Sequence, residues 1–253
     1  MEEVKLIGFM CNWCCYAGAD LAGVSRFQYP PNIRIIRVMC SGRVDPEIIL
    51  DTFLYGADGV FIGGCHPGDC HYLQGNYYAE KKIGMAKRLL KAAGVESERL
   101  RLEWISASEG ERFAEVIREF TEEIKEKGRI KFEKEEMEAA CIAAADYRLR
   151  ILATKERELL DDGNKYGEVF TRYEMDRLLG DMVREEYEAK RILLKLKNPM
   201  SVKEIASELN LKPNVVFRRI LDSKRHELIE IHEIRDNTPT YIVRQLNEGG
   251  ITE

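Results

Sequence analysis

Short apolar runs alternate with amphipathic stretches through the first half of the chain. Val4–Met10 (VKLIGFM), Ile33–Met39 (IRIIRVM), Gly59–Gly63 (GVFIG) and Leu100–Ile105 predict four strands. Asp45-Pro46 sets an N-cap residue before a proline at the first helical position, which opens a helix that stops near Gly56. Tyr77–Ala93 predicts a helix closed by Gly94. Ser108 and Glu111 form a capping box ahead of a helix that gathers Phe113, Val116, Ile117, Phe120 and Ile124 on one face. Strands separated by crossover helices predict an α/β fold, a small doubly wound (flavodoxin-like) parallel sheet covered on both faces.

Beyond Gly128 the strand pattern stops. Phe132 to about Asp162 reads as one helix, Gly163-Asn164 as a break, and Val169–Lys197 as a second helix, together a hairpin joining the two halves. Ser201–Leu209, capped by Ser201, and Asn214–His226 are shorter helices on either side of a turn. Leu228–Arg235 and Thr240–Arg244 are strands joined through Asp236-Asn237-Thr238-Pro239. With the end of the preceding helix this order is the winged-helix arrangement. The expected organisation is an α/β domain over 1–128, a helical linker over 129–197 and a winged-helix-like domain over 198–253.

Hydrophobic residues make up 45% of the 253 and charged residues 33%, enough to bury a core of ordinary size in a soluble chain. No apolar run is long enough for a membrane span. The acidic start MEEVKLIGF leads straight into a strand, which predicts no signal or transit peptide and a cytoplasmic protein. A net charge of -5 argues against a chain dominated by nucleic-acid binding.

Cysteine changes the picture most. Six of the seven cysteines (Cys11, Cys14, Cys15, Cys40, Cys65, Cys70) fall in the first 70 residues, and an odd total without a secretion signal does not suit a disulfide scaffold. Cys11 and Cys14 form a C-x-x-C after the first strand, Cys40 follows the second, and Cys65 and Cys70 form a C-x4-C loop after the third. In a parallel sheet these strand exits share one carboxyl edge, where ligands bind. Thiolates converging there suit an iron-sulfur cluster or a structural zinc. Gly63, Gly64 and Gly68, with Pro67, allow a tight loop whose amides can point at cluster sulfides. A dithiol redox pair at Cys11/Cys14 and plain packing of small apolar side chains are the other readings of the same residues. His66 and His71 are candidates for a mixed His/Cys site. Cys141, in the Ala-rich stretch AACIAAAD, reads as packing.

The strings CNWCCYAGADLAG, QYPPNIRIIRVMCSGRVDP and GADGVFIGGCHPGDCHYLQGNYYAEKK resemble the iron-sulfur delta subunit of methyl-viologen-reducing hydrogenase, over about the first 128 residues. That resemblance implies one 2Fe-2S cluster and a non-catalytic relay role in an oxidoreductase complex of anaerobes. Electrons would pass between a hydrogenase or formate dehydrogenase and the flavin subunit of a heterodisulfide reductase that bifurcates electrons. Five motif cysteines, Cys11, Cys14, Cys40, Cys65 and Cys70, are candidates for four ligand places, and Cys15 reads as packing. No catalytic base, activated nucleophile or G-x-G-x-x-G fingerprint accompanies them.

The C-terminal region offers Arg218, Arg219, Lys224 and Arg225 on one helix, nearly cancelled by neighbouring acids. Strong DNA binding needs several uncompensated phosphate contacts, so docking is the expected role of this region. The rival is a redox-sensing winged-helix transcription regulator, and a zinc-stabilised adaptor is a third reading.

Overall fold

The computed structural model describes residues 3–244, and the chain divides into two compact units, Met1–Val183 and Arg184–Glu253. In the first unit β1 (Leu6–Cys11), β2 (Ile33–Val38), β3 (Gly59–Gly64) and β4 (Leu100–Trp104) form one parallel sheet in the order β2-β1-β3-β4. From β1 the chain crosses to β2 on one side and then returns to add β3 and β4 on the other. That reversal puts crossover helices on both faces. Helices α1 (Cys15–Val24) and α4 (Gly110–Lys127) pack together on one face, and α2 (Pro46–Leu54) and α3 (Gly75–Ala92) on the other. Phe53, Phe61, Phe113 and Phe120 are completely buried, each stabilising the fold by about 2–3 kcal/mol relative to exposure.

All four expected strands are present with their ends shifted by at most two residues. The crossover α1 has no counterpart in the sequence reading. It is short and built of Ala and Gly, with no apolar stripe against a polar one, so its periodicity is weak. Small residues are what its packing needs. A Cβ on Gly18 would stand 2.9 Å from the Ser106 carbonyl oxygen, and one on Gly110 2.8 Å from the Ala22 amide. The capping box at Ser108 does not form. The helix begins at Gly110 after Glu109, whose carboxylate instead accepts the Ser106 N–H at 2.6 Å.

The single helix expected over Phe132–Asp162 is two, α5 (Lys134–Ala144) and α6 (Tyr147–Asp161), because the Asp146 side chain caps the second by accepting the Arg148 N–H. Helix α5 packs on α2 and α3, and α6 on α3. A longer helix, α7 (Arg172–Lys195), runs from the first unit into the second.

The second unit adds β5 (Met200–Ser201), α8 (Val202–Glu208), α9 (Pro213–Arg225), β6 (Ile229–Arg235) and β7 (Thr238–Val243), with an antiparallel sheet in the order β5-β7-β6. Ser201 caps α8 in a full capping box with Glu204. The β6–β7 turn is tighter than expected. Asp236 and Asn237, at φ 47° and 61°, span it alone, and Thr238 already pairs with Arg235. Ile192, Leu196, Ile205, Val216, Ile220 and Tyr241 fill this unit's core. Among the described residues no helix is long and apolar enough to cross a membrane.

Candidate metal centre

The carboxyl ends of β1, β2 and β3 deliver the cysteines to one place. The Sγ atoms of Cys11, Cys14 and Cys65 lie within 4.8 Å of one another, with Cys11 and Cys65 3.8 Å apart. Cys40 faces both Cys11 and Cys70. A Cβ on Gly75, the first residue of α3, would collide with the Cys40 sulfur and stand 3.2 Å from that of Cys70. All five thiols are at most 6% exposed, so the site is closed to bulk water.

Hydrogen bonding among the sulfurs separates their acidities. Cys11 is lowered, chiefly by Cys14, and Cys65 is lowered, chiefly by Cys11. Cys14 and Cys40 are pushed up, both chiefly by Cys11. The amides of Trp13, Gly42 and His71 face Cys11, Cys40 and Cys65 respectively and favour their thiolates.

Cys15 stands apart. Its sulfur lies on the opposite face of the sheet, 3.3 Å from Met10 Sδ and in the space that a Cβ on Gly63 would fill, and burial pushes its pKa up. Gly63 and Gly64 therefore serve close packing, Gly64 beneath Ser41 and Trp104. The tight turn falls at Gly68, whose φ of 95° suits glycine. Cys141 is buried in α5 and is raised to about 12, first by burial.

Neither histidine joins the sulfurs. His66 Nε2 is 2.7 Å from Glu109 Oε2, and His71 stacks on Trp13 with centroids 3.9 Å apart. Sequence reasoning missed the residues that fix this loop. Asn76, 1% exposed, donates to the Cys65 carbonyl at 3.2 Å and the His66 carbonyl at 2.7 Å. Trp13 donates to the Tyr72 hydroxyl at 3.3 Å and clasps the loop from the β1 side. A Gly-Asn pair at a helix start was the available signal.

A family model for the delta subunit of methyl-viologen-reducing hydrogenase matches residues 6–128. The iron-sulfur delta-type subunit of the vhc F420-non-reducing hydrogenase of Methanococcus voltae is 59% identical over 126 residues, half of this chain and 88% of that protein. The chain belongs to the delta-subunit family. The corresponding iron-sulfur subunit of the Archaeoglobus profundus F420-non-reducing hydrogenase is 52% identical over 132 residues, 96% of its length. The delta-subunit segment is also 51% identical over 125 residues to a subunit of the ferredoxin/F(420)H(2)-dependent CoB-CoM heterodisulfide reductase of Methanosarcina acetivorans, 16% of that longer protein. Residues 129–253 lie outside the family match.

Soft sulfur donors, glycine clearance at Gly75 and amides aimed at three of the sulfurs fit a metal or iron-sulfur group held by thiolates. A dithiol pair at Cys11 and Cys14 alone would leave the convergence of Cys40, Cys65 and Cys70 without a purpose.

Proposed function

We propose that the chain is a non-catalytic electron-relay subunit of an oxidoreductase complex, with four of Cys11, Cys14, Cys40, Cys65 and Cys70 holding one 2Fe-2S cluster. The observation that carries this reading is five buried thiols from three strand exits meeting at one sheet edge. When bound, the cluster supplies one-electron chemistry. The protein's part is to hold it, to exclude water and to aim amide dipoles at sulfur. Trp13 (44% exposed), Met39 (53%) and Tyr72 (48%) give the rim of the site an apolar surface on which a redox partner can seat.

The partners in this reading are a hydrogenase or formate dehydrogenase on one side and the flavin subunit of an electron-bifurcating heterodisulfide reductase on the other. The match inside the Methanosarcina heterodisulfide reductase supports the second, because a segment fused to a protein in one organism commonly docks on its counterpart in another. We read residues 1–128 as a doubly wound, flavodoxin-like relay domain, 129–197 as a helical linker and 198–253 as a winged-helix docking domain of a cytoplasmic protein.

The side chain of Arg219 weighs for docking over DNA recognition. It is 8% exposed and bonded to Glu188 at 3.1 Å, with Glu185 at 3.4 Å, so it cannot serve a phosphate. Arg225 pairs with Asp222 at 3.2 Å.

Purification without oxygen, followed by iron, acid-labile sulfide, zinc and visible-absorption measurements, tests the proposal. About two iron and two sulfide per chain are expected for the cluster type. Stoichiometric zinc without sulfide overturns it. Steeply salt-dependent DNA binding that falls on substitution of the exposed Arg218 and Lys224 would favour the regulator instead.

A further inference from the structure

Ser41 follows Cys40 and opens a 3₁₀ turn over Ser41–Arg43. The residue is 1% exposed, and its hydroxyl has no hydrogen-bond partner in the structure. A buried orphan hydroxyl costs about 1–3 kcal/mol, which a fold tolerates when something absent from the bare chain completes the bond.

Strand register shows which side of the sheet this hydroxyl occupies. Met10 pairs with Gly63, and both face Cys15 on the α1/α4 side. The next step along the ladder sets Cys11 beside Gly64, and alternation turns both to the other face. There the Ser41 Oγ stands 2.8 Å from the position of a Gly64 Cβ, filling the place of the side chain that Gly64 lacks. It is therefore one strand over from Cys11, at a spacing of about 5 Å. The Cys11 sulfur itself points toward the segment that carries Ser41, 3.8 Å from the Met39 carbonyl. The other near neighbour is the Trp104 ring edge, which offers no acceptor.

We propose that Ser41 is a positioning residue of the sulfur centre, donating its hydroxyl hydrogen to a sulfur of the bound cluster or of a ligating thiolate. This rests on the 2Fe-2S reading above. Sulfur gains negative charge on reduction, so a fixed donor stabilises the reduced state more than the oxidised one. The hydroxyl thereby raises the reduction potential.

The test compares wild-type protein, Ser41→Ala and Ser41→Thr, each purified whole and without oxygen. Iron and sulfide content are measured first, then the midpoint potential, then metal–sulfur vibrations in H2O and D2O. The expected result is full iron and sulfide in all three, a more negative midpoint for Ser41→Ala and its recovery in Ser41→Thr. Part of the D2O-induced vibrational shift should also vanish in Ser41→Ala. If Ser41→Ala fails to fold, Ser41→Thr against its isostere Ser41→Val gives the same comparison. A midpoint and isotope shift indifferent to loss of the hydroxyl overturn the assignment while leaving the cluster reading intact. Wild-type protein without iron and sulfide overturns the cluster reading itself, and the Ser41 assignment with it.

Discussion

The two ends of the parallel sheet are built on opposite plans. At the amino end every strong polar group is answered by another kind of group. Asp58, fully buried, accepts the Lys5 N–H at 2.8 Å and the Ile130 N–H at 2.9 Å and pairs with Arg129 at 3.1 Å. Arg99 donates to the carbonyls of Asp58, Lys127 and Gly128 and to Glu96. At the carboxyl end the buried thiols face mainly one another, and Ser41 faces nothing that accepts its proton. One end closes the fold by tying the start of β3 to the segment after α4. The other is an arrangement of like groups that only a guest can complete. Stability and chemistry sit at opposite ends of the same strands.

That division can be broken by four substitutions, in decreasing order of effect. Cys65→Ser should remove iron and sulfide together while far-ultraviolet circular dichroism stays that of wild type. Loss of the fold along with the iron would show that the two ends are not separable. Asp58→Ala should be the reverse case, costing about 3 kcal/mol because it strips partners from two backbone amides and from Arg129. Denaturant titration measures it, and the iron content of the protein that remains folded should be unchanged. Gly75→Ala drives a Cβ into the Cys40 sulfur. It should weaken iron retention about tenfold, on the scale of other losses in the shell around a metal, read by timed chelation. Ser201→Ala removes one cap of α8 and should cost about 1 kcal/mol in the second unit, with no change in the visible spectrum.

The sequence announced the sheet because its strands are uninterrupted apolar runs ending at cysteines, and burial on both faces leaves such runs no other place. It announced the sulfur site for the same reason, since strand exits in a parallel sheet share an edge. What stayed hidden depended on approach distances that no local pattern encodes. Helix α1 lacks an apolar stripe because it meets its neighbours through Gly18 and Ala22. Asp146 reads as an ordinary residue of a long helix until its side chain is seen to start a new one. Arg219 and Arg218 are adjacent and chemically alike, yet only Arg219 turns in to meet Glu188, a distinction set by helix phase and tertiary partners. Ser41 carries no signal of its own beyond following a cysteine.

The strand order also governs when the centre can come into being. Its thiols arrive from β1, β2 and β3 and from the loop reaching to Cys70, so no contiguous stretch of chain holds the set. Non-local contacts of this kind form late, once the sheet has registered. The newborn chain must therefore fold around bare sulfur, with Cys11 and Cys65 already 3.8 Å apart. In air that is an invitation to cross-link before any iron is delivered, and the order of synthesis, folding and loading becomes part of what the sequence has to survive.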